Sequence, residues 1–180
     1  MVEIVRAGGW LMLPIILCSI IAIAIIIAAF GFNNVHAHCQ VPCGIYDDAV
    51  RIIQIREHVT TIEKAMKQID QLTSDESSAQ NMNQLVRWIN TKEEHATFIQ
   101  YIIADYFLAQ RIKPKQNNEA GRQQYVDQTL LLQQIIVAAM KSKQTVDKSD
   151  PRSVSTLLNQ FVELYFDEHG KEHLNTIQKG

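Results

Sequence analysis

Cysteine is scarce in this chain of 180 residues: there are three, and one of them, Cys18, lies inside an apolar run. The other two, Cys39 and Cys43, cannot build a disulfide framework for a domain of this length. A basic excess is also absent. Seventeen Lys and Arg stand against 19 Asp and Glu, a formal net charge of −2. With no clustered basic stripe, the electrostatic footprint of a nucleic-acid binder is missing. No strand-like alternation of any length occurs, and no internal repeat. Charge itself is missing from Ala7 to Phe32.

That uncharged stretch is long enough to cross a bilayer as a helix, which takes about 20 apolar residues. Arg6 precedes it, offset by Glu3, so the basic flank is weak. Asn33-Asn34-Val35-His36-Ala37 follows, and Val35 and Ala37 fit the small-residue rule for signal cleavage before His38. Residues 1–37 are therefore expected to be a leader, either cut off on export to the periplasm or kept as a membrane anchor. The stretch Arg6-Ala7-Gly8-Gly9-Trp10-Leu11-Met12-Leu13-Pro14 and on to Ile20 resembles the first membrane helix of biopolymer-transport proton-channel subunits. No second apolar span follows, so a channel subunit is not expected.

Residues 38–180 read as all helix. Asp47 or Asp48 can cap a first helix whose apolar residues Ile52, Ile55, Val59, Ile62, Met66 and Ile69 fall at 3–4 spacing. Thr73–Ser78 is a polar break. A second helix carries Met82, Leu85, Ile89, Ala96, Ile99, Ile103 and Tyr106 and stops before Pro114. A third holds Tyr125, Leu131, Ile135, Ile136 and Met140. Asp150-Pro151 reads as an N-cap followed by proline at N1, opening a fourth helix with Val154, Leu157, Leu158, Phe161, Val162 and Tyr165. Gly170 reads as its C-terminal stop, with a polar tail beyond. The predicted fold is all-α, an antiparallel four-helix bundle carrying an N-terminal metal hook.

The hook is His38-Cys39-Gln40-Val41-Pro42-Cys43, running on into Gly44-Ile45-Tyr46-Asp47. Two thiolates and an imidazole suit zinc, copper or nickel. A closed structural zinc site needs four side-chain ligands, and no second Cys or His pair lies nearby. A Cys39–Cys43 disulfide is the plainer alternative and an oxidising compartment would permit it. A cut after Ala37 changes the inventory. The α-amine of His38, the amide nitrogen of Cys39 and both thiolates then form a planar N2S2 set, which points to Cu(II) or Ni(II). The His38 imidazole is left over as an axial ligand.

The pattern His-Cys-x-x-Pro-Cys-Gly-x-Tyr-Asp resembles the hook of nickel-dependent superoxide dismutases. The resemblance runs on through Arg56-Glu57-His58, Thr61–Met66, Arg87–Ala96 and Asp105-Tyr106-Phe107. It implies a four-helix subunit assembled as a homohexamer, a nickel ion as cofactor, and superoxide as substrate. It assigns His38, Cys39 and Cys43 to the metal, with Pro42 following a cis peptide that folds the hook. Tyr46 and Tyr106 correspond to the tyrosines that guard substrate approach. Gln54 stands where some members have a Glu bonded to the axial imidazole, and Arg87, Lys92 and His95 compete for that Glu's basic partner. The implied reaction is 2 O2•− + 2 H+ → O2 + H2O2, with nickel alternating between Ni(II) and Ni(III) after a processing protease has exposed His38.

Two other classes remain beside the enzyme. One is a nickel or copper carrier using the same hook without turnover; the other is a membrane-anchored helical interaction protein. His58, His169 and His173 read as surface histidines, Lys92-Glu93-Glu94 as a solvated face, Trp88 and Tyr101 as core or subunit-interface residues, and Met66 and Met140 as core.

Overall fold

In the computed structural model the described residues are Leu17, 46–74 and 76–179. The chain divides into two units, Met1–Ala37 and His38–Gly180, and the account below concerns the second. Among the described residues no helix is long and apolar enough to cross a membrane; of the uncharged stretch 7–32 only Leu17 is among them.

The described residues contain only helices and their connections. Helix α1 is Asp48–Ser74, and its buried residues include all six of the expected stripe, Ile52 to Ile69. Asp47 caps it, its carboxylate accepting from the Ala49 amide at 2.8 Å. Helix α2 is Ala79–Tyr101, capped by the Ser78 hydroxyl, which accepts from the Asn81 amide. It passes without a break into a π-helix, Ile102–Arg111. The wider turn brings Ile103, Tyr106 and Phe107 together into the core. The Ile112 amide closes the segment on the Phe107 carbonyl at 2.9 Å, two residues before Pro114. Helices α3 (Arg122–Gln144) and α4 (Ser149–Tyr165) complete a four-helix ring, since α1 packs against both α2 and α4.

The second half of the chain departs from expectation in several places. A fifth helix, α5 (Glu168–Lys179), follows α4 and packs on α1 through Leu174. Gly170 is inside it, not at a stop. A Cβ there would come within 2.6 Å of the Phe166 ring, so glycine answers a close approach. Its amide donates to Asp167 at 2.8 Å, which makes Asp167 the cap. Helix α4 begins at Ser149 with Lys148 at its N-cap position. Pro151 is thus two residues further in than expected, still within the first turn where a missing N–H costs nothing. Met82, Ile89 and Met140 are exposed, as is Tyr101 at 66%. Their helical spacing is right, but no element among the described residues lies over them.

Lys92 also reverses its expectation. It is 4% exposed, and its ammonium donates to the carbonyls of Ser142 at 3.0 Å and Thr145 at 3.2 Å, and to that of Lys143. A cation at the C-terminal end of α3 meets both the dipole and the orphan carbonyls there.

Candidate metal centre and its groove

The proposed ligands His38, Cys39 and Cys43, and Pro42 with them, lie outside the described residues. The account of the site therefore starts at Tyr46. Among the described residues no group of three or more His, Cys, Asp or Glu could hold a metal ion.

Tyr46 opens onto a groove of about 810 Å3 between α1 and the α2–π-helix run. Tyr46, Gln54 and Tyr106, three of the residues singled out from sequence, line it together. The Tyr46 and Tyr106 rings meet edge to face with centroids 6.3 Å apart. Tyr46 is 44% exposed whereas Tyr106 is buried. The two phenols thus sit in different surroundings at the same end of the groove.

Arg51 was not foreseen. Its guanidinium lies 4.0 Å from the centre of the Tyr46 ring and 5.4 Å from that of Tyr106, close enough for cation–π attraction. The same group donates to the Gln54 side-chain oxygen at 2.7 Å. Arg51 is thus a basic neighbour of Gln54. The sequence does carry the signal: Arg51 is one turn before Gln54 on the same face of α1. Among the described residues Arg51 is the only Lys or Arg lining the groove, against Glu57 and Asp105.

His58 continues that face by another turn and also lines the groove. It is half-buried, not a free surface histidine. Its Nδ1 lies 3.0 Å from Nδ1 of His95, and Phe98 packs against both rings. Burial, and then the neighbouring His95, hold the His58 imidazole below its ordinary pKa, partly opposed by Glu57. His173 bonds Asp47 at 2.6 Å, tying α5 to the cap of α1.

Asp48 was considered only as a possible cap. Asp47 does the capping, which leaves the Asp48 carboxylate for other partners. One oxygen accepts from the Tyr106 hydroxyl. The other accepts from the Tyr165 hydroxyl at 2.7 Å and from Arg111 at 2.6 and 3.1 Å. The Tyr106 oxygen is also 3.0 Å from the main-chain carbonyl of Tyr46. Burial and then the bond to Asp48 push the Tyr106 phenol well above its usual range. The same two causes push Tyr165 up to about 12. A phenol beside a carboxylate resists ionising, because two anions would then share one partly buried site.

No curated protein and no solved structure matches the chain. The family model for nickel-containing superoxide dismutase matches residues 33–169, a span that holds the whole hook, the groove and all four helices of the ring. The chain accordingly belongs to the nickel-containing superoxide dismutase family, and its activity is the nickel-dependent dismutation of superoxide.

Proposed function

We propose that the nickel is held by the hook at residues 38–43 and that superoxide reaches it past Tyr46. The donor set fits the metal: two thiolates, and a terminal amine with its neighbouring amide nitrogen once His38 is the first residue. Nickel bound there supplies the one-electron couple that the dismutation needs. The observation that carries this reading is the position of the groove. It begins at Tyr46, three residues after Cys43, and it is lined by Gln54 and Tyr106 from two further elements.

Each groove residue has a role that its surroundings support. Arg51 places a positive charge over the Tyr46 ring, where it attracts the superoxide anion and keeps the ring from swinging outward. Tyr46, exposed at the mouth, limits what passes by size. Tyr106 stays un-ionised, so no second negative charge opposes an incoming anion. Gln54, held by Arg51, is placed to accept a hydrogen bond without adding charge.

The remaining elements of the reading concern processing and assembly. Residues 1–37 form a leader, a protease cuts between Ala37 and His38, and the product is exported and assembles as a homohexamer. An apolar strip on α2, Met82, Val86 and Ile89, is exposed in the single subunit and supports burial against another copy. Uncut, the leader would hold the protein at a membrane.

The test is the mature N-terminus, read by mass spectrometry beside nickel content and superoxide consumption. The expected result is His38 as first residue, one nickel per subunit, and activity lost on chelation. An active protein that retains residues before His38 would overturn the hook assignment. His38→Gln keeps the amine and should retain nickel while losing turnover.

A further inference from the structure

We propose that Asp48 is the positioning residue of this site: by accepting from the Tyr106 hydroxyl it fixes that phenol, in its neutral form, behind Tyr46. The inference rests on the dismutase reading for its effect on turnover, but its geometry stands apart from that reading. Asp48 is the first residue of α1. Its carboxylate gathers Tyr106 and Arg111 from the π-helix and Tyr165 from α4. Three elements therefore converge on one side chain, two residues beyond Tyr46.

A phenol has one proton. The Asp48 carboxylate, charged and nearer, is the stronger acceptor for the Tyr106 proton, and the Tyr46 carbonyl is the other acceptor beside it among the described residues. What Tyr106 can offer the groove is an oxygen lone pair and a ring edge, not an acid. The charged and titratable groups around it act as follows. Burial and then Asp48 raise its pKa, Arg111 opposes them, and Tyr165 adds a smaller upward push. Arg51 lies over its ring at 5.4 Å. The Arg111 guanidinium lies 6.0 Å from the same ring but is turned to the carboxylate, which it grips with two nitrogens. Both nitrogens donate to the same oxygen, so the charge-assisted bonds hold that oxygen in place and leave the other for Tyr106. Arg111 and Tyr165 thus orient Asp48, and Asp48 orients Tyr106. Tyr46 and Tyr106 then divide the work, one ring exposed at the mouth and one fixed behind it.

The variants Asp48→Asn, Asp48→Glu and Tyr106→Phe test this. Asp48→Asn keeps the shape and removes the charge. The expected result is full nickel content, kcat lowered about tenfold with KM little changed, and an alkaline loss of activity that moves down into the assayed range. Phenolate absorbance at about pH 11 should show more ionised tyrosine in Asp48→Asn than in the wild type. Asp48→Glu, which retains the charge, should restore the wild-type phenolate count and part of kcat. Should Asp48→Asn fail to fold, wild-type protein labelled with 3-fluorotyrosine carries the test. The fluorine resonance that Tyr106→Phe removes should stay at its phenol position after an exposed fluorotyrosine in a reference peptide has ionised. An Asp48→Asn protein with unchanged phenolate count and pH profile overturns the proposal, as does early ionisation of the Tyr106 resonance. A wild type that consumes no superoxide overturns the dismutase reading instead and leaves the phenol measurements to be read by themselves.

Discussion

His58 and His95 face each other through Nδ1 atoms 3.0 Å apart. Only one of the two nitrogens can carry a proton in that arrangement, since two N–H groups would point at each other. The pair holds at neutral pH and opens when both rings are charged. His58 is depressed in the folded state, by burial first and then by His95. The unfolded chain therefore takes up a proton at higher pH than the folded one. Stability tied to this group is complete above the unfolded imidazole value, near 6.5, and is lost as pH falls from there toward the folded value. Thermal unfolding followed from pH 8 to about 5 should show a falling midpoint, with a shallower fall in His58→Gln. An equal slope in both proteins would mean the pair is not the source. The Asp47–His173 contact acts elsewhere: Asp47 is lowered by that bond, so its contribution fades only as pH drops through the carboxylate range.

Lys92 binds together two helices that sequence separates by 50 residues. Replacing it with Met keeps its length and leaves three carbonyls without the ammonium. A hydrogen-bonded charge of this kind contributes about 2 kcal/mol, and Lys92→Met should lose about that much in chemical unfolding. The slope of the transition should not change, and nickel content of the folded protein should stay the same. A variant as stable as the wild type would show that the three carbonyls are satisfied by solvent.

Gln54 is already engaged by Arg51, which reshapes the expected effect of restoring a carboxylate there. In Gln54→Glu the new charge pairs with Arg51 at hydrogen-bonding distance before it acts on anything else. The metal potential should therefore shift little in Gln54→Glu alone and more in the double variant Gln54→Glu, Arg51→Met. Voltammetry or redox-poised electron spin resonance measures both. Equal shifts in the two would mean that Arg51 does not compensate the charge.

The two thiols of the hook should be separable from the bundle. Cys39→Ser or Cys43→Ser is expected to abolish nickel-dependent dismutation, a hydroxyl being a harder and weaker donor. Circular dichroism and the unfolding midpoint should match the wild type, because among the described residues the core cluster runs from Ala49 to Leu174, all of it beyond the hook. Near wild-type activity in either variant would remove its thiol from the ligand set.

The first helix was legible residue by residue, because its six apolar positions repeat at helical spacing and each is buried. The hook motif led directly to the family. What stayed hidden depended on partners remote in the chain. Nothing near Lys92 announces carbonyls at Ser142 and Thr145, and nothing near His58 announces His95. Met82, Ile89 and Met140 show that an apolar side chain at the right period reports a face but not whether anything covers it. Gly170 was read by its commonest use, a helix end. The need it meets is room for the Phe166 ring, which periodicity does not encode.

The π-helix at Ile102–Arg111 sets a limit on how this chain can tolerate changes in length. A π-turn holds one residue more than an α-turn between flanks that stay in place. Deleting a single residue between Ile102 and Asp105 would let the run relax to α-helix without unfolding either side. The residues after the run would keep their direction, but those inside it would lose the wider turn that places them. Tyr106, inside the run, would be carried off Asp48, while the apolar composition of the helix hardly changed. A one-residue deletion here should thus spare the bundle and disable the groove, whereas the same deletion in the exposed connection between Ile112 and Gly121 should spare both.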